Sequence, residues 1–191
     1  RQALIGTGPG EGLLEGHGTI INSPIAPNFW AYDEDAAIPY EYDPEKAKQI
    51  LDEAGYKEGD DGFRTDPDGN EWVLNINYPT GNQLRERSAP IIQEALEAVG
   101  IKVDLRAPKE MSVYVEELDD DTLEWDMYLL GWNLDSGDPD PRGLWGAEDA
   151  YNYSRWFNEE SEKLLDEAVQ APEAFEQDFR AEKYSEWTHV F

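Results

Sequence analysis

Three observations predict an α/β fold, a βαβαβ unit forming a mostly parallel sheet flanked by helices. Strand-like and helix-like patterns alternate through the middle of the chain. The helical segments open on capping residues and close on glycines, and one strand is an unbroken apolar run of the kind a sheet buries on both faces. In such sheets crossovers are right-handed and ligands bind beyond the carboxyl ends of the strands. The 191 residues, 39% of them hydrophobic, suffice for a single domain, and seven Trp, ten Tyr and six Phe supply bulk for its core.

Taken in order, RQALIG reads as the tail of a helix interrupted by GTGPGEG, and 17–42, with Pro24, Pro27 and Pro39 and no periodicity, as a long ordered loop. DPEKAKQILDEAG is an amphipathic helix: Asp43 caps, Pro44 suits the first position, Ala47, Ile50, Leu51 and Ala54 share a face, and Gly55 ends it. In GDDGFRTDPDGNEWVLNINY the DPDG turn predicts a hairpin whose second strand alternates Trp72, Leu74, Ile76 and Tyr78 against polar residues. A calcium loop starting at Asp66 is not expected, because Glu71 stands where the loop needs glycine and its twelfth position holds no Glu. LRERSAPIIQEALEAVG is a helix in which Pro90 is tolerated if Ser88 caps a new first turn, with Gly100 closing it. IKVDLRA is a strand, MSVYVEEL a helix, and WDMYLLGW the expected central strand. Asn158 caps a helix with Leu164, Leu165, Ala168 and Val169 inward, and a last helix is expected from Pro172 to about His189.

The charge balance excludes whole classes of partner. With 43 acidic against 15 basic residues the net charge is −28, which repels phosphate backbones and anionic lipid, so no nucleic-acid partner is expected. The acids are spread along the chain as a solvated surface, and salt should relieve their repulsion by screening, as in a protein adapted to a saline setting; a melting temperature that falls on adding salt would refute this. The absence of cysteine removes thiol nucleophiles and thiolate metal sites, and with only two histidines, His17 and His189, zinc chemistry is not expected. No stretch approaches the length of a membrane span.

Motifs occur in a telling order: YDPEKAKQILDEAGY followed by the Asp- and Gly-rich hairpin, RSAPIIQEALEAVGIKVDL, WDMYLLGWNLDSGDPDP, then NYSRWFNEE. On these residues the chain resembles the extracytoplasmic solute-binding proteins of dipeptide and oligopeptide ABC transporters, family 5 type, nearest their dipeptide-binding branch. The resemblance implies two lobes of a periplasmic-binding-protein-like fold closing on a ligand, with 1–191 as a single domain, most of the C-terminal lobe. A first, N-terminal lobe would precede it and a final segment follow Phe191, as expected for a chain that opens on RQALIG without an initiator Met. The implied partners are a short peptide, the missing lobe and the permease subunits; the implied place is periplasmic or cell-surface, with a lipid anchor upstream. No catalysis, cofactor or metal is implied.

A peptide's ammonium leaves water only for an opposite charge with hydrogen bonds. By the resemblance Asp135 receives it, Trp132 forms an apolar wall, and the Ser136 and Gly137 backbone pairs with the extended peptide. Asp138 and Asp140 read as turn-formers, and Trp145 is open to core packing or to the ligand pocket. For the carboxylate, relatives place an arginine at the end of the strand before the Ser-Ala-Pro helix or before Gly-Trp; NYPTGN and YLLGW hold none. Arg85, and in NYSRW Arg155 beside Tyr153, are the candidates, each equally readable as a surface ion-pair partner. A nickel complex, haem or oligosaccharide stays open as ligand. A carboxylate-based hydrolase and an acidic interaction domain are the rival classes, but neither opposed carboxylates nor a Ser-His-Asp set is visible.

Overall fold

The computed structural model describes residues 21–36, 42–120, 125–134 and 137–191. The expected helix tail at RQALIG lies outside them, as do 17–20 and 37–41 of the expected loop. The described chain divides into two compact units, 42–132 and 21–36 with Asn133–Phe191.

The first unit carries the predicted alternation. Helix α1 (Pro44–Glu53) starts where Asp43 accepts a hydrogen bond from Lys46 N at 2.8 Å. It ends in a Schellman turn, Tyr56 N to Leu51 O and Gly55 N to Asp52 O, which needs the left-handed φ of +90° that Gly55 supplies. Its apolar face is narrower than expected: Ala47 is buried, but Ile50 is 44% exposed and Ala54 also faces solvent. Strands β1 (Lys57–Glu58) and β2 (Arg64–Thr65) pair antiparallel, and a bridge from Thr65 to Glu71 closes the DPDG turn. The expected hairpin stops at that bridge. Its second strand, β3 (Val73–Asn77), leaves to form a parallel sheet with β4 (Lys102–Leu105) and β5 (Met127–Tyr128) in the order β4-β3-β5.

The centre of the sheet is therefore β3, not the apolar run around β5, whose residues are only half-buried. An apolar run records the lack of a polar face; it does not record rank within a sheet. Helix α2 (Gln83–Glu97) connects β3 to β4 and runs straight through Pro90. Ser88 does not cap: its hydroxyl bonds back to Leu84 O at 2.8 Å, while Asn82 caps the whole helix by accepting from Arg85 N. Pro90 forgoes the bond that its missing N–H would give Glu86 O. Ile76, Leu96, Val99, Ile101 and Val103 form the core with Ala47, each large aliphatic worth about 2 kcal/mol when fully buried. Helix α3 (Met111–Asp119) carries the chain from β4 past β3 to β5.

The second unit packs the turns of 21–36 against helices. Ile25 and Ala31 join Leu164, Leu165, Ala168, Tyr184 and Trp187 in its core. Helix α4 (Arg142–Trp145) is a single turn that the sequence pattern did not announce. Helix α5 (Glu159–Gln170) is capped by Asn158 as expected, through Glu160 N and Ser161 N. The expected last helix is split: a 3₁₀ turn, Pro172–Phe175, precedes helix α6 (Gln177–Val190). Trp187 is fully buried, its indole N–H donating to the buried Ser161 hydroxyl at 2.8 Å.

Candidate ligand-binding site

In the first unit the site is built at the carboxyl ends of the parallel strands. The chain goes from β3 to one neighbour, then returns past it to the other, which makes β3 the switch point of the sheet. Tyr114 of α3 bolts the two strand ends: its hydroxyl, within a ring buried to 1% exposure, reaches Asn77 O at 3.0 Å and Leu129 O at 3.3 Å. Burial pushes the pKa of this hydroxyl far up, so it stays a neutral donor. Leu129 N also donates to Asn77 O, so the exit of the chain into Gly131 and Trp132 is held on both sides.

Arg85 sits at that exit. Its Nη2 lies 2.9 Å from where a Cβ on Gly131 would stand. The residue is half-buried, and among the described residues its guanidinium has no hydrogen-bond or ion-pair partner, so an ordinary surface ion pair does not account for it. Position 131 thus does what a larger residue would hinder, admitting a cation against the backbone one residue before Trp132. Trp132 is 42% exposed. The opposite face of the sheet from the core presents Asn75 and Asn77, which with Arg106, Lys109, Tyr114 and Trp125 line a cavity of about 370 Å³.

Asp135 and Ser136 lie outside the described residues. The rest of the acidic loop belongs to the second unit, and there its aspartates are engaged. Asp138 accepts from Arg180 of α6, whose Nη1 donates to both carboxylate oxygens, at 2.6 and 2.7 Å. Asp140 forms an Asx turn with Arg142 N at 3.1 Å and a fork with the same guanidinium. Burial would raise the Asp140 carboxyl, but the Arg142 hydrogen bonds and charge outweigh it and hold the group below the usual range. A Cβ on Gly137 would meet nothing within 4 Å, leaving its backbone approachable. Trp145 packs edge-on against Phe191 at 4.4 Å and also lines a cavity of about 210 Å³ with Ile25, Phe29, Leu144 and the loop prolines. In NYSRW, Asn152 is the clamp: its buried amide donates to Gly146 O and Trp156 O, and it accepts from Ser154. Tyr153 is buried beside it, while Arg155 is exposed with a left-handed φ of 52°.

The sequence pattern singled out neither Arg180, Asn152 nor Tyr114. Arg180 lies 42 residues from Asp138, beyond any local signal. A tyrosine in an amphipathic helix facing strand ends was the one hint of Tyr114.

A strand-end site on a parallel sheet, with a half-buried cation and an aromatic at its lip, is the kind of half-site that a ligand-capturing lobe presents. Residues 10–154 match the family model described as bacterial extracellular solute-binding proteins, family 5 Middle, and the chain belongs to this family. It is 32% identical to the oligopeptide-binding protein AppA of Bacillus subtilis over 160 residues, 82% of this chain and 29% of that protein. Against haem-binding protein A of Haemophilus influenzae identity is 32% over 83% of this chain and 28% of that protein, and against the Escherichia coli dipeptide-binding protein 31% over 82% and 28%. The structure of the B. subtilis AppA in complex with a nonapeptide superposes with a TM-score of 0.87 at 29% identity, covering 99% of this chain and 38% of that one. The fold is that of these two-lobed proteins. The chain spans less than a third of the length of the curated relatives named here.

Proposed function

We propose that the whole protein is the substrate-binding component of an ABC importer that captures a short peptide, a dipeptide foremost, between this lobe and a first lobe, and hands it to membrane permease subunits. It works outside the cytoplasm and catalyses no reaction. The observation that carries this reading is the Arg85 guanidinium beside Gly131 at the strand ends, unpaired among the described residues. A half-buried cation without a counter-charge suits a carboxylate, with which an arginine makes a bidentate pair. Asp135 takes the peptide's ammonium, a role that rests on the sequence resemblance alone, and the Ser136 and Gly137 backbone pairs with the peptide chain. Closure of the two lobes would bury both charges.

Calorimetry of the full-length protein with a panel of dipeptides tests the reading. Free dipeptides should bind, carboxyl-amidated ones should lose the contribution of Arg85, and amino-acetylated ones that of Asp135. Tight binding retained by Asp135→Asn or Arg85→Ala removes that residue from its role. Binding of haem, a nickel complex or an oligosaccharide with no binding of any peptide moves the protein to another branch of the family.

A further inference from the structure

Arg85 stands in the first turn of α2, three residues after the Asn82 cap. The aligned peptide dipoles make this end of a helix electropositive, so a cation here works against the helix instead of stabilising it. The adjacent acid offers no relief, because Glu86 accepts from Gly81 N at 2.8 Å and from Thr80 Oγ1 at 3.3 Å. Among the described residues nothing else bonds the guanidinium. A half-buried cation set against the dipole without a counter-charge does not serve the stability of the first unit.

Gly131 answers to the same side chain. A glycine is required where φ is left-handed, and that of Gly131 is not positive. Nor is the main chain crowded there. Apart from its neighbours in the chain, and among the described residues, a Cβ at 131 would meet only the Arg85 guanidinium within 4 Å, Nη2 at 2.9 Å and Cζ at 3.9 Å. The nearer atom is the tip of a flexible side chain, so an alanine would push the guanidinium aside and leave the fold intact. The main chain is the firmer of the two: two residues earlier, Leu129 donates from N to Asn77 O and accepts at O from the Tyr114 hydroxyl.

We propose that Gly131 is a positioning residue for ligand recognition: acting through Arg85, it lets the guanidinium rest against the main chain at the strand ends and so sets where a ligand's carboxylate is received. The inference rests on the peptide-binding reading above. A bidentate pair needs both oxygens aligned with the planar fork, so a displaced guanidinium keeps its charge and loses the register of one bond. Gly131 itself touches no ligand in this scheme.

The test is calorimetry on the full-length protein with the tightest dipeptide of the panel, free and carboxyl-amidated, for wild type, Gly131→Ala, Arg85→Ala and the double variant. Gly131→Ala should bind the free dipeptide about tenfold more weakly, as one of two charge-assisted bonds is lost. It should bind the amidated one as wild type does. The double variant should be no worse than Arg85→Ala, because both substitutions act on one contact. The melting temperature of Gly131→Ala should be equal or slightly higher, since alanine narrows the unfolded ensemble at a position whose φ it can adopt. Unchanged affinity for the free dipeptide in Gly131→Ala, equal losses for the free and amidated forms, losses that add in the double variant, or a lowered melting temperature would each overturn the role of Gly131. The two readings fail differently. A wild type that binds no peptide, or binds both forms alike, removes the carboxylate from Arg85 and the role of Gly131 with it. A wild type that prefers the free form, with Gly131→Ala keeping that preference in full, removes the role of Gly131 alone.

Discussion

Each unit is pinned by one arginine, and the two are used in opposite ways. Arg64, 4% exposed, donates to Val99 O at 2.9 Å and Tyr56 O at 2.8 Å, and to the Asp52 carboxylate at 2.5 Å. It grips main chain, which no substitution at Val99 or Tyr56 removes, and it sits under Gly100, where a Cβ would lie 3.1 Å from Arg64 Cγ. Arg180 grips a carboxylate that is itself mostly in water. The difference teaches where each unit is built to hold: the first keeps a fixed frame for a sheet at whose strand ends Arg85 of α2 sits, while the second holds its loop by a bond that salt or a single substitution can open.

Substitutions can break this contrast at graded strength. Trp187→Ala should act most strongly, costing about 4 kcal/mol by emptying the centre of the second unit and leaving the Ser161 hydroxyl without its indole partner. Amide exchange should then rise through α5 and α6 before β3; simultaneous loss of protection in both units would mean that they are not independent. Arg64→Ala should cost about 3 kcal/mol in urea unfolding, as charge-assisted bonds to two carbonyls and Asp52 are lost, with exchange rising first in the first unit. Tyr114→Phe should cost about 1 kcal/mol and raise exchange at Leu129, whose carbonyl and neighbouring strand end lose their shared donor.

The smallest effect is that of acid. Asp140 has a folded-state pKa below its unfolded value, so its contribution is present above the ordinary Asp pKa of 3.8 and fades as pH falls through the lower folded value. Acid titration followed by amide exchange should therefore loosen the loop around 138–142 while the sheet around Ile76, which relies on apolar contacts and Arg64, keeps its protection.

In both units the ends of helices were legible in the sequence. Asp43, Asn158, Gly55 and Gly100 act as local signals because caps and left-handed glycines are decided within a turn of chain. The rank of strands is not local. Asn75 and Asn77 give β3 a polar face, so it reads as peripheral although it is central, its second face being turned to a cavity and to Tyr114. Pro90 was accepted on the condition that Ser88 caps a new first turn, because nothing near it in sequence shows that Asn82 already caps the helix upstream. At the site, Arg85 was visible only as a basic residue near a strand end, with no sign of its place against Gly131, and the role of Asp138 needed a partner in α6. The expected family agrees with the match to residues 10–154, whereas the assignment of Asp135 stands on sequence alone.

The burial of the indoles also gives the protein an optical signature. Trp187 is sealed at 0% exposure and bonded to a hydroxyl, while Trp132 stands 42% open one residue beyond the glycine that admits Arg85. Buried and open indoles emit at different wavelengths, so the red edge of the native emission reports chiefly on the open rings. A molecule settling against the strand ends would dim or shift that edge and leave the blue component of Trp187 as an internal standard, so that the protein could signal occupancy without a label.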